Sequence, residues 1–384
     1  MLAQLWGNLD IGEKLTKFVT MPPMTSGSNI VPELPLLNSP ILTKVRKDAI
    51  DRRRELDELL TGEVSKPYTY ASNTASLVVF GSLARGEWTS GSDLDWTYLV
   101  DGQANSDHLL IAQDIYRVLK EHKDRFPLPG QTGIFGNLAF SHEIVHQIGG
   151  HADTNRNTTQ RVLLLLESLA VGREVKAYDR VIKAVINRYL EEDNHLLTED
   201  GKAYRVPRFL LNDIVRFWRT MAVDFASKQR DRGGKGWGLR NAKLRMSRKL
   251  IFASGLLLCF SCHLDPVLQT TISTAKDVIK QNLVNHIREF VRQSPLEIVA
   301  QCFPLYLVPD TTQKDLFAAY SQFLELLDDE ESRKHLDALR AENSRTDLTF
   351  NKVKKISSVF ENCLDKIFFD NPKLGPLTRK YGVF

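Results

Sequence analysis

The chain has 384 residues, 42% of them hydrophobic and 26% charged, a balance that excludes a disordered polypeptide and a membrane-embedded bundle. Its net charge of +4 is slight, so any attraction for a charged partner rests on where the charges cluster. Four cysteines (Cys259, Cys262, Cys302, Cys363) are too few for a disulfide framework and read as reduced, mostly buried thiols.

Residues 1–38 show little periodicity, and the stretch 21–28 reads as loop. The N-terminus has no basic start and no cleavage site, so a secretory signal is not expected and a cytoplasmic location is the default. Ser39-Pro40 predicts a helix start, with Ser as N-cap and Pro in the first turn. Ile41, Val45, Ile50, Leu56 and Leu60 recur at roughly helical spacing, and Gly62 can end the helix. Arg52-Arg53-Arg54 reads as a solvated face.

Leu77-Val78-Val79-Phe80 reads as a buried strand that ends in Gly81-Ser82. Gly81 has no Cβ, so its backbone can approach a ligand closely. Ser82 adds a hydroxyl and an amide for phosphate oxygens, and the following residues can open a helix whose N-terminus favours an anion. Arg85 is either a phosphate contact or a surface charge. Next comes Gly91-Ser92-Asp93-Leu94-Asp95, leading into a second apolar run, Trp96 to Val100. On an extended chain Asp93 and Asp95 point to one face, and Leu94 and Trp96 to the other. Paired carboxylates on one face repel, and a divalent cation relieves that repulsion. Hard oxygen ligands with an open shell suit Mg²⁺ or Mn²⁺. This combination points to phosphoryl transfer.

The order of strand, Gly-Ser, glycine-containing spacer, Asp-x-Asp and strand resembles the nucleotidyltransferase superfamily of DNA polymerase β. Its wording is most similar to bacterial members like the PII uridylyltransferase. The resemblance covers about residues 75–102. It implies a small mixed sheet with helices, a metal held by Asp93 and Asp95, and phosphate held near Gly81, Ser82 and Ser92. It also implies a third carboxylate on a later strand. The natural strand, 132–140, offers only Asn137. Glu143 follows on a short segment whose apolar spacing is helical after Ser141, so Glu143 is either the third catalytic acid or a helix-surface charge.

Ser106 to Phe126 predicts a helix with Leu109, Leu110, Ala112, Ile115, Val118 and Leu119 on its inner side, broken by Pro127. Gly149-Gly150 is a candidate boundary. Beyond it the chain reads as helical almost to its end. Residues 153–159 are a polar lead-in that either caps the next helix or lines a nucleotide cleft. The segment 191–204 reads as loop. Phe209 to Arg232 predicts one amphipathic helix, and a second run, Lys235 to Cys259, follows Gly233-Gly234. The apolar stretch Leu250 to Phe260 is too short to span a membrane and reads as a buried core helix. Its end, Cys259-x-x-Cys262-His263, is taken as packing, because a metal site would need further ligands at suitable spacing. Helices are expected at 312–329 and 350–368, with a charged, exposed helix between them.

Bases cluster strongly between Arg216 and Lys249. The resemblance implies that the helical part supplies a Lys or Arg to a triphosphate, which makes Arg219, Lys228, Lys235, Arg240 and Lys243 candidates. Trp218 and Trp237 lie among them and either stack a base or fill the core.

The fold class expected is α+β: a small mixed-sheet nucleotidyltransferase core followed by a mostly α-helical domain. The expected organisation is a loop and helix at 1–67, the core at 68–150 and a helical substrate-binding domain at 151–384. The expected activity is metal-dependent transfer of NMP from an NTP to an acceptor, with pyrophosphate released. A protein side chain is the first expectation for that acceptor. An RNA 3′ end, a small molecule, or a catalytically silent nucleotide- or RNA-binding regulator are the alternatives. No membrane partner is expected.

Overall fold

The computed structural model describes residues 38–382 apart from 68–72, 104, 130–134, 173, 174, 192, 194 and 232. The loop expected at 21–28, the start of the strand expected at 132–140 and the basic Arg232 lie outside the described residues. Residues 34–384 form one compact unit.

Helix α1 (Pro40–Glu63) starts where Ser39 accepts a hydrogen bond from the Leu42 amide at 3.3 Å. It buries Ile41, Leu42, Val45, Ala49, Leu56 and Leu60. Ile50 is exposed, because it falls one residue off this stripe. Of the three arginines, Arg54 lies on a solvated face, where it pairs with Asp51, while the other two turn inward. Arg53 donates to the Leu83 carbonyl at 2.9 Å, and Arg52 lies over the Trp88 and Phe126 rings.

The core follows as β1 (Ala75–Phe80), α2 (Gly81–Arg85), β2 (Trp96–Val100), α3 (Ser106–Glu121), β3 (Asn137–Phe140) and α4 (Ser141–His146). Then come α5 (Asn155–Leu166) and β4 (Ser168–Ala170). The sheet order is β3-β2-β1-β4. β1 pairs antiparallel with β2 (Val79 opposite Trp96) and with β4 (Phe80 opposite Ser168). β2 and β3 are parallel, with Thr97 opposite Asn137. This is a small mixed sheet with helices, as expected for the fold class. A boundary at Gly150 would cut through it, since β4 comes from beyond that point.

Strand alternation explains why β1 is buried on both faces. Leu77, Val79, Trp96, Tyr98 and Val100 pack with α1 and α3 in one cluster. Val78, Phe80 and Leu99 pack into the cluster formed by the later helices. In α3 the inner residues are His108, Ile111, Ala112, Ile115, Val118 and Leu119. Leu109 and Leu110 are half exposed, since the 3.6-residue period skips both. The helix ends at Glu121, short of Phe126.

The remaining helices are α6 (Lys176–Glu191), α7 (Arg208–Asp231), α8 (Trp237–Lys243) and α9 (Lys249–Leu264), with a π turn (Leu244–Arg248) between the last two. They continue as α10 (Pro266–Gln269), α11 (Lys276–Val291), α12 (Pro295–Leu305), α13 (Asp310–Asp328), α14 (Glu330–Ala338), α15 (Leu348–Asp365) and α16 (Leu374–Leu377). The stretch Trp237–Gln269 is long and apolar enough to cross a membrane by length and composition, and most of it is buried inside the fold. α9 is covered nearly all round, as the core-helix reading anticipates. All four cysteines are free and buried, and His263 bonds the Tyr204 carbonyl at 2.7 Å.

A fully buried arginine ties the helices together. Arg161 of α5 bonds Asp153 and Asp213 at 2.8 Å each, and donates to Tyr189 of α6 at 2.8 Å. The polar lead-in therefore does cap and brace α5: Thr154 accepts from the Asn157 amide at 3.2 Å.

Candidate active site

The site is built at the junction of β1, α2 and the start of β2. Gly81 has φ +66°, and the chain turns there directly from strand into helix. Regular pairing of β2 begins at Trp96, one residue after the acids. One more bond extends it, from the Phe80 amide to the Asp95 carbonyl at 2.9 Å. The alternation also continues. Leu94 and Trp96 are buried in the α1–α3 cluster, while Asp93 is exposed and Asp95 half-buried on the other face. That face looks towards the later helices. Among the described residues, neither carboxylate makes a hydrogen bond or ion pair.

Gly81 sits directly against Asp95: a Cβ added there would lie 3.1 Å from Asp95 Oδ2. Ser82 follows, half-buried in the first turn of α2. Ser92 is turned inward. Its hydroxyl accepts from the Thr89 amide at 3.0 Å and bonds the Thr89 hydroxyl at 3.1 Å, so it shapes the loop before Asp93.

Arg85 has internal partners on both sides. Its Nε donates to Glu87 at 2.8 Å and its Nη1 to Glu167. Tyr320 of α13 also donates to Glu87, with both carboxylate oxygens at 3.0 Å. Burial opposes the charge on Arg85, but the Glu87 and Glu167 carboxylates outweigh that cost and hold its pKa above the ordinary value. Burial lifts the Glu87 carboxyl. Arg85 is thus an internal brace rather than a surface charge.

Glu167 was not singled out by sequence reasoning. It ends α5, immediately before β4, and the pairing of Ser168 with Phe80 brings it to the Gly81 end of the sheet. Its charge acts on Asp95. Burial first, then Asp93 and Glu167, push the Asp95 carboxyl up to about 7. The only signal in the sequence is an acid that closes a run of five apolar residues, Val162 to Leu166.

The structure does not bring Glu143 to this site. It is exposed on α4, which follows the far end of β3. There Ser141 donates to Asp101 at 2.9 Å rather than capping the helix. β3 runs parallel to β2, so Glu143 and Asp95 lie at opposite ends of the sheet. Asn137 is exposed at the near end.

Among the five basic candidates, Lys243 is the one whose charge is felt with those of Asp93 and Asp95. It is half-buried: burial pulls its pKa down, while Asp93 and Asp95 act in the opposite direction. Arg219 lines an open groove of about 510 Å³ with Asn155, Asn212 and Arg216. Lys228 pairs with Asp224 at 2.8 Å. Arg240 donates to the Gly236 and Lys235 carbonyls at 3.1 and 2.8 Å and lies over Phe225. Lys235 is exposed. Trp218 stacks on Phe252 and Trp237 packs on Phe350, so both tryptophans serve the core.

Two further cations reach the site. Arg248 acts on Asp95 and Lys243, and Arg333 of α14 acts on Asp93 and Lys243. Residues five apart on an α-helix diverge by about 140°. The π turn at Leu244–Arg248 brings residue i over residue i+5 and so places Lys243 and Arg248 on one side. The charged segment expected to be an exposed helix is α14, and its Arg333 is half-buried on the loop before Asp93. None of the three cations forms an ion pair with either aspartate within 4 Å among the described residues.

Comparison of the chain with curated proteins finds no match. Residues 61–127, which include β1, Gly81-Ser82, Asp93, Asp95 and β2, match the family model described as the nucleotidyltransferase domain, and over this stretch the chain is similar to that family.

Proposed function

We propose that the chain is a metal-dependent nucleotidyltransferase that moves NMP from an NTP to an acceptor, first of all a protein side chain, and releases pyrophosphate. The observation that carries this reading is the pair Asp93 and Asp95: two carboxylates on one face, Asp95 against Gly81, within the stretch that matches the nucleotidyltransferase domain. Among the described residues no group of three or more His, Cys, Asp or Glu side chains converges. Two oxygen ligands with an open side fit Mg²⁺ or Mn²⁺, whose shell is completed by water and phosphate oxygens. When bound, such a cation supplies charge neutralisation and alignment at the α-phosphorus.

The chain's own residues do the rest. The backbone at Gly81 and the Ser82 hydroxyl receive a phosphate. Lys243 and Arg248, set side by side by the π turn, add positive charge over the aspartates. Glu167, bound by Arg85 and with a charge that acts on Asp95, is the candidate third acid. Asn137 on β3 favours a second reading, a nucleotide-binding protein that does no transfer.

The test is incubation of the purified protein with each labelled NTP, Mg²⁺ or Mn²⁺, and cell lysate with or without RNase. Label on protein supports the first reading; label on RNA or a small metabolite changes the acceptor. If the Asp93→Ala, Asp95→Ala double variant labels as well as the parent, the enzyme reading fails. If nothing is labelled while NTP binds, the second reading replaces it.

A further inference from the structure

Most histidines of the chain are tied into the fold. His108, His122, His263, His286 and His335 bond Thr74, Glu63, Tyr204, Ser261 and Asp347 in turn. His142 and His146 differ. Both are exposed on α4, and among the described residues neither makes a hydrogen bond or an ion pair. Their rings nonetheless lie together, with centroids 5.1 Å apart and planes tilted by 38°. Their spacing of four residues explains this, because it puts two side chains on one face of a helix.

The short helix beneath the pair is anchored from several sides. Ile144 and Val145 are buried on its inner side. The Ile144 carbonyl accepts from the fully buried Arg161 at 3.1 Å. Gln147, just past the helix, accepts from Asn157 at 2.6 Å, and Ser141 donates to Asp101 at 2.9 Å. The network around Arg161 therefore sets the backbone that carries both rings. Two imidazoles placed in this way lose little freedom when they share a ligand.

Imidazole nitrogen suits Zn²⁺, Cu²⁺ and Ni²⁺, whereas Mg²⁺ takes oxygen. Two imidazoles on one tetrahedral ion, each bonded at about 2.1 Å, have ring centroids about 5 Å apart. A square-planar ion, with its right angle between neighbouring ligands, would draw the centroids to about 4.5 Å. The observed separation fits the tetrahedral case, the one Zn²⁺ adopts. Among the described residues no group of three or more His, Cys, Asp or Glu side chains converges, so Glu143 does not join the two rings. Two positions of a tetrahedral ion are left for water or for a donor outside the chain.

We propose that His142 and His146 form a Zn²⁺-binding site, separate from the aspartate pair. α4 follows the far end of β3, at the opposite end of the sheet from Asp95. The inference does not depend on the nucleotidyltransferase reading.

The experiment is calorimetric titration of the full chain with ZnCl₂ in an excess of Mg²⁺. The four cysteines are buried and do not compete. The parent is expected to bind one Zn²⁺. His142→Ala and His146→Ala are each expected to weaken it about tenfold or more, since each removes one arm of a chelate. Both positions are exposed, so the urea midpoints without metal should match the parent. His142→Gln and His146→Gln serve if an Ala variant does not fold. The Asp93→Asn, Asp95→Asn double variant is expected to bind Zn²⁺ as the parent does. A parent that binds no Zn²⁺ overturns the proposal. So does affinity that survives in either histidine variant, or affinity that is lost in the aspartate variant. An equal loss in His151→Ala would overturn the assignment of two protein ligands.

Discussion

Gly81 and Asp95 are so close that a Cβ on the glycine would lie 3.1 Å from the carboxylate oxygen Oδ2. The same glycine holds φ +66°, which a residue with a side chain adopts at a cost. Gly81→Ala should therefore lower stability by about 1–2 kcal/mol and displace Asp95. Urea unfolding measures the first effect. Mn²⁺ binding followed by electron paramagnetic resonance measures the second, and an unchanged Mn²⁺ affinity would count against the role assigned to this contact.

Asp95 makes the fold sensitive to pH. Its carboxyl is pushed up to about 7 from an ordinary value of 3.8, by burial and then by Asp93 and Glu167. Between these values the folded state keeps a proton that the unfolded chain has released. This group's contribution to stability is therefore lost as pH rises through the window, and is constant above it. Asp95→Asn should remove that slope. Urea midpoints from pH 4.5 to 8, without divalent cation, give the check: the gap between variant and parent should widen with pH up to about 7.

Glu167→Gln should cost about 1.5–3 kcal/mol, because it removes a charge-assisted bond from the buried Arg85. It should also lower transfer by more than that loss of fold accounts for. Activity measured well below the unfolding midpoint decides this. Full activity there leaves Glu167 as a brace only.

Lys243 and Arg219 separate what charge content suggests from what position dictates. Lys243→Ala should raise the Michaelis constant for NTP. Arg219→Ala should leave it unchanged, because Arg219 belongs to the groove with Asn155 and Asn212. Steady-state kinetics on both variants provide the comparison, and a reversed order would contradict the placement.

Arg161 is fully buried with Asp153 and Asp213 at 2.8 Å. Removing one partner of such a network leaves uncompensated buried charge. Arg161→Ala should destabilise by about 3–5 kcal/mol, measured by urea unfolding. A loss below about 1 kcal/mol would mean that the two aspartates find other partners.

The sequence by itself determined the parts of the site that are close in the chain. Gly81, Ser82, Asp93 and Asp95 are placed by a strand, a tight turn and the two-residue alternation of extended backbone, all short-range effects. The mixed sheet and the largely helical remainder were legible for the same reason, through local periodicity. Charge density named a basic region but could not rank its members, because a residue's direction on a helix depends on what the helix packs against. Only the tertiary structure chose Lys243 and added Arg248 through a π turn. It also delivered Glu167 by the pairing of β4 with β1, and Arg333 by the seating of α14 on the loop at Gly91. Glu143 fails to reach the aspartates because β3 runs parallel to β2, a matter of strand direction that composition and spacing do not encode.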